Sequence, residues 1–263
     1  MVKHRRRRAL GRVEADSILL EQIRIIKSEH PFWGYRRVWA YLRFIAALSV
    51  NKKRVYRLLQ ENDLLVRADT RLLAKRVSHI RKPHPSTINQ WWGVDMTKVM
   101  TATGWAYVVL VVDWYSKKVV GHYCGEQSKS WHWLAALNKA VNRQFPGGIR
   151  ETETVLNLMS DNGSQPTSRS FMETCAGLGI KQAFTAYNNP KGNADTERMM
   201  RTLKEELCWL QEWQSVAELK TALDRFVEHF NDGYLHSALG YKTPNAFEKE
   251  HFEKQQATLN LAA

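Results

Sequence analysis

Cysteine is scarce in this 263-residue chain: Cys124, Cys175 and Cys208 stand far apart, with no C-x-x-C pair. That excludes a disulfide framework and gives no thiolate set for structural zinc, so each is expected to be buried filler. Long apolar runs are missing as well. No stretch approaches the roughly 18 residues of a membrane span, and the basic N-terminus leads into polar sequence, not a signal-peptide core, so a cytoplasmic protein is expected. Acidic charge is short in one region only. Residues 1–88 hold 21 Lys and Arg against 7 Asp and Glu, and the remainder hold 18 against 19. The excess of the +13 chain therefore sits in its N-terminal third, which points to a polyanion-binding module joined to a domain with other work. A hydrophobic content of 44% with ten Trp is enough to fill a core.

Lys3 to Arg8 is a charge run too short and too basic to fold alone. From Glu14 to Glu29, Leu19, Ile23 and Ile26 recur at helical spacing, and Pro31 ends the pattern. A second apolar stripe follows Gly34 (Tyr35, Val38, Trp39, Leu42, Ile45), with Arg36, Arg37 and Arg43 outside it. A third helix, Asn51 to Glu61, has Asn51 as N-cap and Val55, Leu58 and Leu59 facing inward. Its first turn carries Lys52, Lys53 and Arg54, with Arg57 one turn on. Cations there oppose the helix dipole, so stability alone does not account for them. Three short helices with a basic last one predict a helix-turn-helix unit over residues 1–66, with Arg36, Arg37, Lys52, Lys53, Arg54 and Arg57 as DNA contacts. Residues 67–88 lose periodicity, carry six Arg or Lys, and read as a basic linker ending near Pro83 and Pro85.

Beyond the linker the period changes to that of strands. Gln90 to Val99, Trp105 to Val112 and Lys118 to Cys124 predict three strands in a meander. A helix over about Ser130 to Gln144 and a strand over Thr154 to Met159 come next. A helix near Arg169 to Ala176, a strand over Gly179 to Phe184, a Gly/Asn/Pro-rich loop and a long helix complete the series. This order predicts an α/β fold with a mixed sheet and helices on its faces.

Three carboxylates stand out together. Asp95 interrupts a strand, Asp161 directly follows another, and Glu197 opens the long helix after 35 intervening residues. Singly, each reads as an ordinary turn, strand-end or surface acid. At about 100° per residue, Arg201 and Lys204 lie at about +40° and −20° from Glu197, while Met200, Leu203, Leu207 and Leu210 fall between about −60° and −140°. Glu197 thus flanks the buried face. Carboxylates held close repel one another unless a cation intervenes; two Mg²⁺ or Mn²⁺ ions suit such oxygen ligands and an in-line phosphoryl displacement. Lys204 is placed to hold a DNA phosphate, with Arg201 beside it on the same stripe. Asp113 and Asp195 read as structural, Asp113 as a turn acid at the sheet edge. The His236-Ser237 pair hints at a second DNA contact.

The motifs GYRRV, VNKKRVYRLL, DMT at Asp95, VVDWYSKKVVGH, SDNGSQ at Asp161, GNADTERMMRTLKEE at Glu197 and HSALGYKTPNAFE span nearly the whole chain. In these it resembles the DDE transposases of bacterial insertion sequences whose catalytic subunit looks like a retroviral integrase. The resemblance implies a ribonuclease H-like core with a five-stranded mixed sheet over residues 89–263, including C-terminal helices. It also implies a metal-binding triad of Asp95, Asp161 and Glu197, DNA-end contact by Lys204, cleavage at terminal inverted repeats and strand transfer into target DNA. A homo-oligomer on DNA, and an upstream-frame helix-turn-helix protein as fusion or companion, belong to the same expectation. One departure is plain: no cysteine precedes Cys124, so the integrases' N-terminal His/His/Cys/Cys zinc module cannot form here. The alternatives from other classes are a DNA-binding regulator with an inactive catalytic fold and a nuclease acting on RNA:DNA hybrids.

Overall fold

A computed structural model describes residues 10–66, 83–151, 154–185 and 190–262. Lys3 to Arg8 and most of the 67–88 linker lie outside the described residues. The chain divides into two compact units, residues 1–75 and 76–263.

In the first unit, α1 (Leu10–Glu29), α2 (Tyr35–Ala40) and α3 (Lys52–Glu61) enclose Leu19, Ile23, Ile26, Val38, Leu42, Val55, Leu58 and Leu59. Asn51 caps α3, its side chain accepting from Lys53 N–H at 2.8 Å. The second stripe departs from expectation at its end. α2 widens into a π turn over Tyr41–Ile45, closed by Ala46 N–H donating to Tyr41 O at 3.0 Å. The wider turn breaks the 3.6 period, so Ile45 is turned outward, 51% exposed.

The second unit is built on five strands: β1 (Trp91–Thr101), β2 (Gly104–Asp113), β3 (Val119–Gly125), β4 (Asn157–Ser160) and β5 (Lys181–Phe184). They lie in the order β3-β2-β1-β4-β5, with β1, β2 and β3 antiparallel and β4 and β5 parallel to β1. The meander supplies the antiparallel half because its connections are short; α4 (Ser130–Gln144) and α5 (Arg169–Gly177) are the crossovers that parallel pairing requires. Trp133 and Leu137 of α4 and Phe171 of α5 bury one sheet face against Trp92, Val94, Val109, Val111 and Leu158. The opposite face receives α6 (Ala194–Leu203) and α7 (Val216–Gly233). On α7, buried Asn231 accepts from Val119 N–H and donates to Val119 O, both at 3.0 Å, satisfying backbone groups of edge strand β3.

Two acids show how the C-terminal helix α8 (Pro244–Ala262) is attached. Asp113, read as a sheet-edge acid, closes interior strand β2 and is fully buried. It accepts from the N–H groups of Asn89, Tyr115 and Ser116. Ser116 Oγ lies 3.1 Å from Asp113 and 2.8 Å from Glu248 of α8, and Lys118 pairs with Glu248 at 2.6 Å. All three cysteines are buried, as expected, and burial pushes their thiols up to about 11 or 12. No described helix is long and apolar enough to cross a membrane.

Candidate active site

The parallel register of β1 and β4 sets Trp91 opposite Asn157, Trp92 opposite Leu158 and Gly93 opposite Met159. Asp95 stands two residues beyond Gly93, and Asp161 two beyond Met159. Both aspartates therefore lie just past the carboxyl end of the paired segment, Asp95 still within β1 and Asp161 immediately after β4, where open α/β sheets place their ligands.

Glu197 arrives on α6, which a glycine admits. Gly93 shares a β1 face with Asp95, and a Cβ on Gly93 would lie 1.9 Å from Thr196 Oγ1 and 2.5 Å from Trp114 Nε1. In the space left by that missing atom, Trp114 Nε1–H donates to Thr196 Oγ1 at 3.0 Å, and Trp91 stacks on Trp114 with ring centroids 5.7 Å apart. Thr196, Met199, Met200, Thr202 and Leu203 form the buried face of α6, which leaves Glu197 on its exposed flank. Past Leu203 the helix widens into a π turn, Lys204–Cys208, and stops. Leu210, expected on the apolar stripe, is 45% exposed for that reason. The sequence pattern did not single out Gly93, Thr196 or Trp114 as positioning residues. The available signal was a glycine inside a strand, which marks close approach by another segment.

The charges act on one another. Burial lifts half-buried Asp95 to about 6; the Asp161 and Glu197 charges push the same way, while Met96 N–H, donating at 2.7 Å, and the Lys204 cation pull it down. Desolvation also raises Glu197 above the ordinary carboxylate range. Asp161 is exposed and accepts from Gly163 N–H at 3.0 Å. Among the described residues no three His, Cys, Asp or Glu side chains converge closely enough to hold a metal ion by themselves. Carboxylates with no cation between them repel, and Asp95 registers that repulsion. The donor set is nevertheless all oxygen and electrostatically coupled at Asp95, which fits a hard divalent cation.

The other expected contacts divide. Arg201 is exposed and pairs with Glu205 at 2.8 Å. Arg54 and Arg57 are turned to Asp16 of α1, each at 2.7 Å, and Arg57 also pairs with Glu61 at 2.9 Å. These two guanidiniums brace α3 on α1. Burial raises the Asp16 carboxyl, but Arg57 and Arg54 outweigh it and hold the group below its usual range. Lys53 is exposed; Lys52 lies over the Trp39 ring at 4.1 Å. Arg36 donates to Tyr35 OH at 3.2 Å, and Arg37 lies over Trp33 at 5.7 Å. His236 packs against Phe230 and Tyr234, with ring centroids 5.0 and 5.1 Å away. Asp195 lies 3.4 Å from Lys117.

A mixed sheet of this order, with acids where β1 and β4 part and α6 laid across β1, defines an integrase-type core. The integrase core domain family matches residues 85–190, a second family of that description matches residues 178–244, and an HTH-like domain matches residues 14–71. The chain belongs to the integrase-core family, with an HTH-like domain ahead of the core, and is homologous to insertion-element transposases. Transposase InsD for insertion element IS2A/D/F/H/I/K of Escherichia coli is 26% identical over 253 residues, covering 89% of this chain and 79% of the relative. Among solved structures, the catalytic core domain of BIV integrase is 21% identical with a TM-score of 0.46, covering 63% of this chain and 99% of that one. The HTLV-2 integrase catalytic core domain in complex with magnesium is 19% identical with a TM-score of 0.45, covering 62% and 99%. Metal dependence is a property of the integrase core family.

Proposed function

We propose that this transposase cuts DNA at the terminal inverted repeats of an insertion sequence and joins the freed 3′-hydroxyl to target DNA, with Asp95, Asp161 and Glu197 as the catalytic carboxylates. The observation that carries the reading is that Asp95 and Asp161 each follow the last β1–β4 pair by two residues, with the Asp95 carboxyl raised by burial and by the charges of Asp161 and Glu197. These three acids would hold two Mg²⁺ or Mn²⁺ ions, which supply Lewis-acid polarisation of the phosphate and a lowered pKa for bound water. The residues themselves orient the reacting phosphodiester. Lys204, whose charge is felt at Asp95, offers an ammonium to a phosphate at the DNA end. In the first step water attacks phosphorus and the bond to the 3′-oxygen breaks; in the second that 3′-hydroxyl attacks a target phosphodiester and displaces the target's own 3′-oxygen.

Recognition of the ends falls to the HTH-like unit, with Lys52, Lys53, Arg36 and Arg37 as its DNA contacts. A homo-oligomer brings two ends together, with an upstream-frame helix-turn-helix protein as fusion or companion. Labelled terminal-repeat DNA tests the reading. With Mg²⁺ the wild-type chain cleaves and joins, and Asp95→Asn, Asp161→Asn and Glu197→Gln each abolish both steps while binding persists. Normal strand transfer by any one variant would remove that residue from the site. A wild-type chain that shifts the DNA and never cuts it would be a DNA-binding regulator.

A further inference from the structure

β4 pairs with β1 only as far as Gly93, and farther along that side of β1 Thr101 is bridged by Trp213. Along that side lies a cleft of about 610 Å³ lined by Trp105, Trp209, Trp213, Lys98, Lys204 and Glu212. Its volume is within the roughly 300–1,000 Å³ of small-ligand sites. Trp213 forms a fixed wall. It is buried, its indole N–H donates to Cys208 O at 3.2 Å, and its carbonyl accepts from Ala102 N–H at 2.8 Å. Trp105 and Trp209 are instead 43% and 61% exposed, and Lys98 Nζ lies 4.6 Å from the Trp105 ring centroid.

Large exposed indoles beside two ammonium groups suit a ligand with a flat π face and a negative charge. Lys204 lines this cleft and directly follows the helix that carries Glu197, so in the proposed site the occupant and the reacting phosphate are neighbours. Lys98 is three residues along the strand from Asp95, about 10 Å at strand rise. We propose that this cleft binds an unpaired nucleotide of the DNA end, its base stacked on Trp105 or Trp209 and its phosphate held by Lys98 and Lys204. Glu212 is an acceptor for an exocyclic amino group on the base edge. Withdrawing one nucleotide from the duplex frays the end and exposes the scissile phosphodiester to the carboxylates. The inference rests on the proposed active site through Lys204.

The test uses the full chain and a duplex whose short unpaired overhang carries 2-aminopurine, with the same base placed inside the duplex as control. Stacking in the cleft quenches the overhang probe on binding and leaves the internal one unchanged. Trp105→Ala and Trp209→Ala each lose most of that quenching and bind single-stranded oligothymidylate about tenfold more weakly, within the range of one aromatic–base stack. Trp209→Tyr, which keeps a ring, recovers it. Absence of quenching by the wild-type chain, or undiminished quenching in both alanine variants, overturns the proposal and hands the cleft to a protein segment. Asp161→Asn retains the signal. Strand transfer by that variant would defeat the active-site assignment without touching the fluorescence result, so the two failures are distinguishable.

Discussion

Asp95 and Asp161 each stand two residues past the last matched pair of β1 and β4, Gly93 and Met159, Asp95 within β1 and Asp161 just beyond β4. Burial first, and the Asp161 and Glu197 charges after it, lift the Asp95 carboxyl to about 6.

That shift has a defined sign. An unfolded Asp titrates near 3.9, so between about pH 4 and 6 the folded chain holds a proton the unfolded chain has lost. The contribution of this group to stability is therefore greatest below pH 4, declines as pH rises to 6, and stays low above it. Asp95→Asn is expected to stabilise the metal-free protein by about 1–3 kcal/mol at pH 7 and by little at pH 4. Urea denaturation at both pH values measures it; an Asn variant weaker than wild type at pH 7 would contradict the placement of Asp95 among Asp161 and Glu197.

Gly93→Ala puts a Cβ where Thr196 Oγ1 and Trp114 Nε1 now sit. The overlap is expected to cost about 1–3 kcal/mol and to move α6, and Glu197 with it, off β1. Strand transfer should fall while DNA binding persists, and adding Thr196→Ala should return part of the lost stability. Wild-type denaturation and activity in Gly93→Ala alone would rule out this close packing.

Lys118→Met removes the cation from Glu248, in a pair whose side chains are 12% and 7% exposed. An unpaired buried charge is expensive, so a loss of about 3 kcal/mol is expected, and Lys118→Met with Glu248→Gln should lose less. Chemical denaturation and proteolysis of α8 read the outcome. An equal loss in both variants would mean the charge itself is not the cause.

Two cations of α3 should behave differently. Arg54→Ala breaks a bond to Asp16 and is expected to cost about 1–3 kcal/mol of stability. Lys53→Ala should leave stability unchanged and reduce the salt slope of DNA binding by about 1. Salt titrations beside melting curves separate the roles, and a matching stability loss in Lys53→Ala would place Lys53 in the fold instead of at the DNA.

The sequence by itself determined the elements and their order. Apolar periods of 3.6 and 2 are local properties, and they located α1, α3 and α4 and the three meander strands, while the charge count located the basic module. The interval between Asp161 and Glu197, with Lys204 seven residues on, was legible for the same reason. Only the tertiary structure decided which strand lies beside which and in what register, and so that Asp95 and Asp161 follow the same end of the β1–β4 pairing. It also assigned Arg54 and Arg57 to Asp16, turned Ile45 and Leu210 outward through π turns, and opened the tryptophan cleft beside β1. Those outcomes depend on contacts between residues distant in the chain, and local spacing carries no record of them.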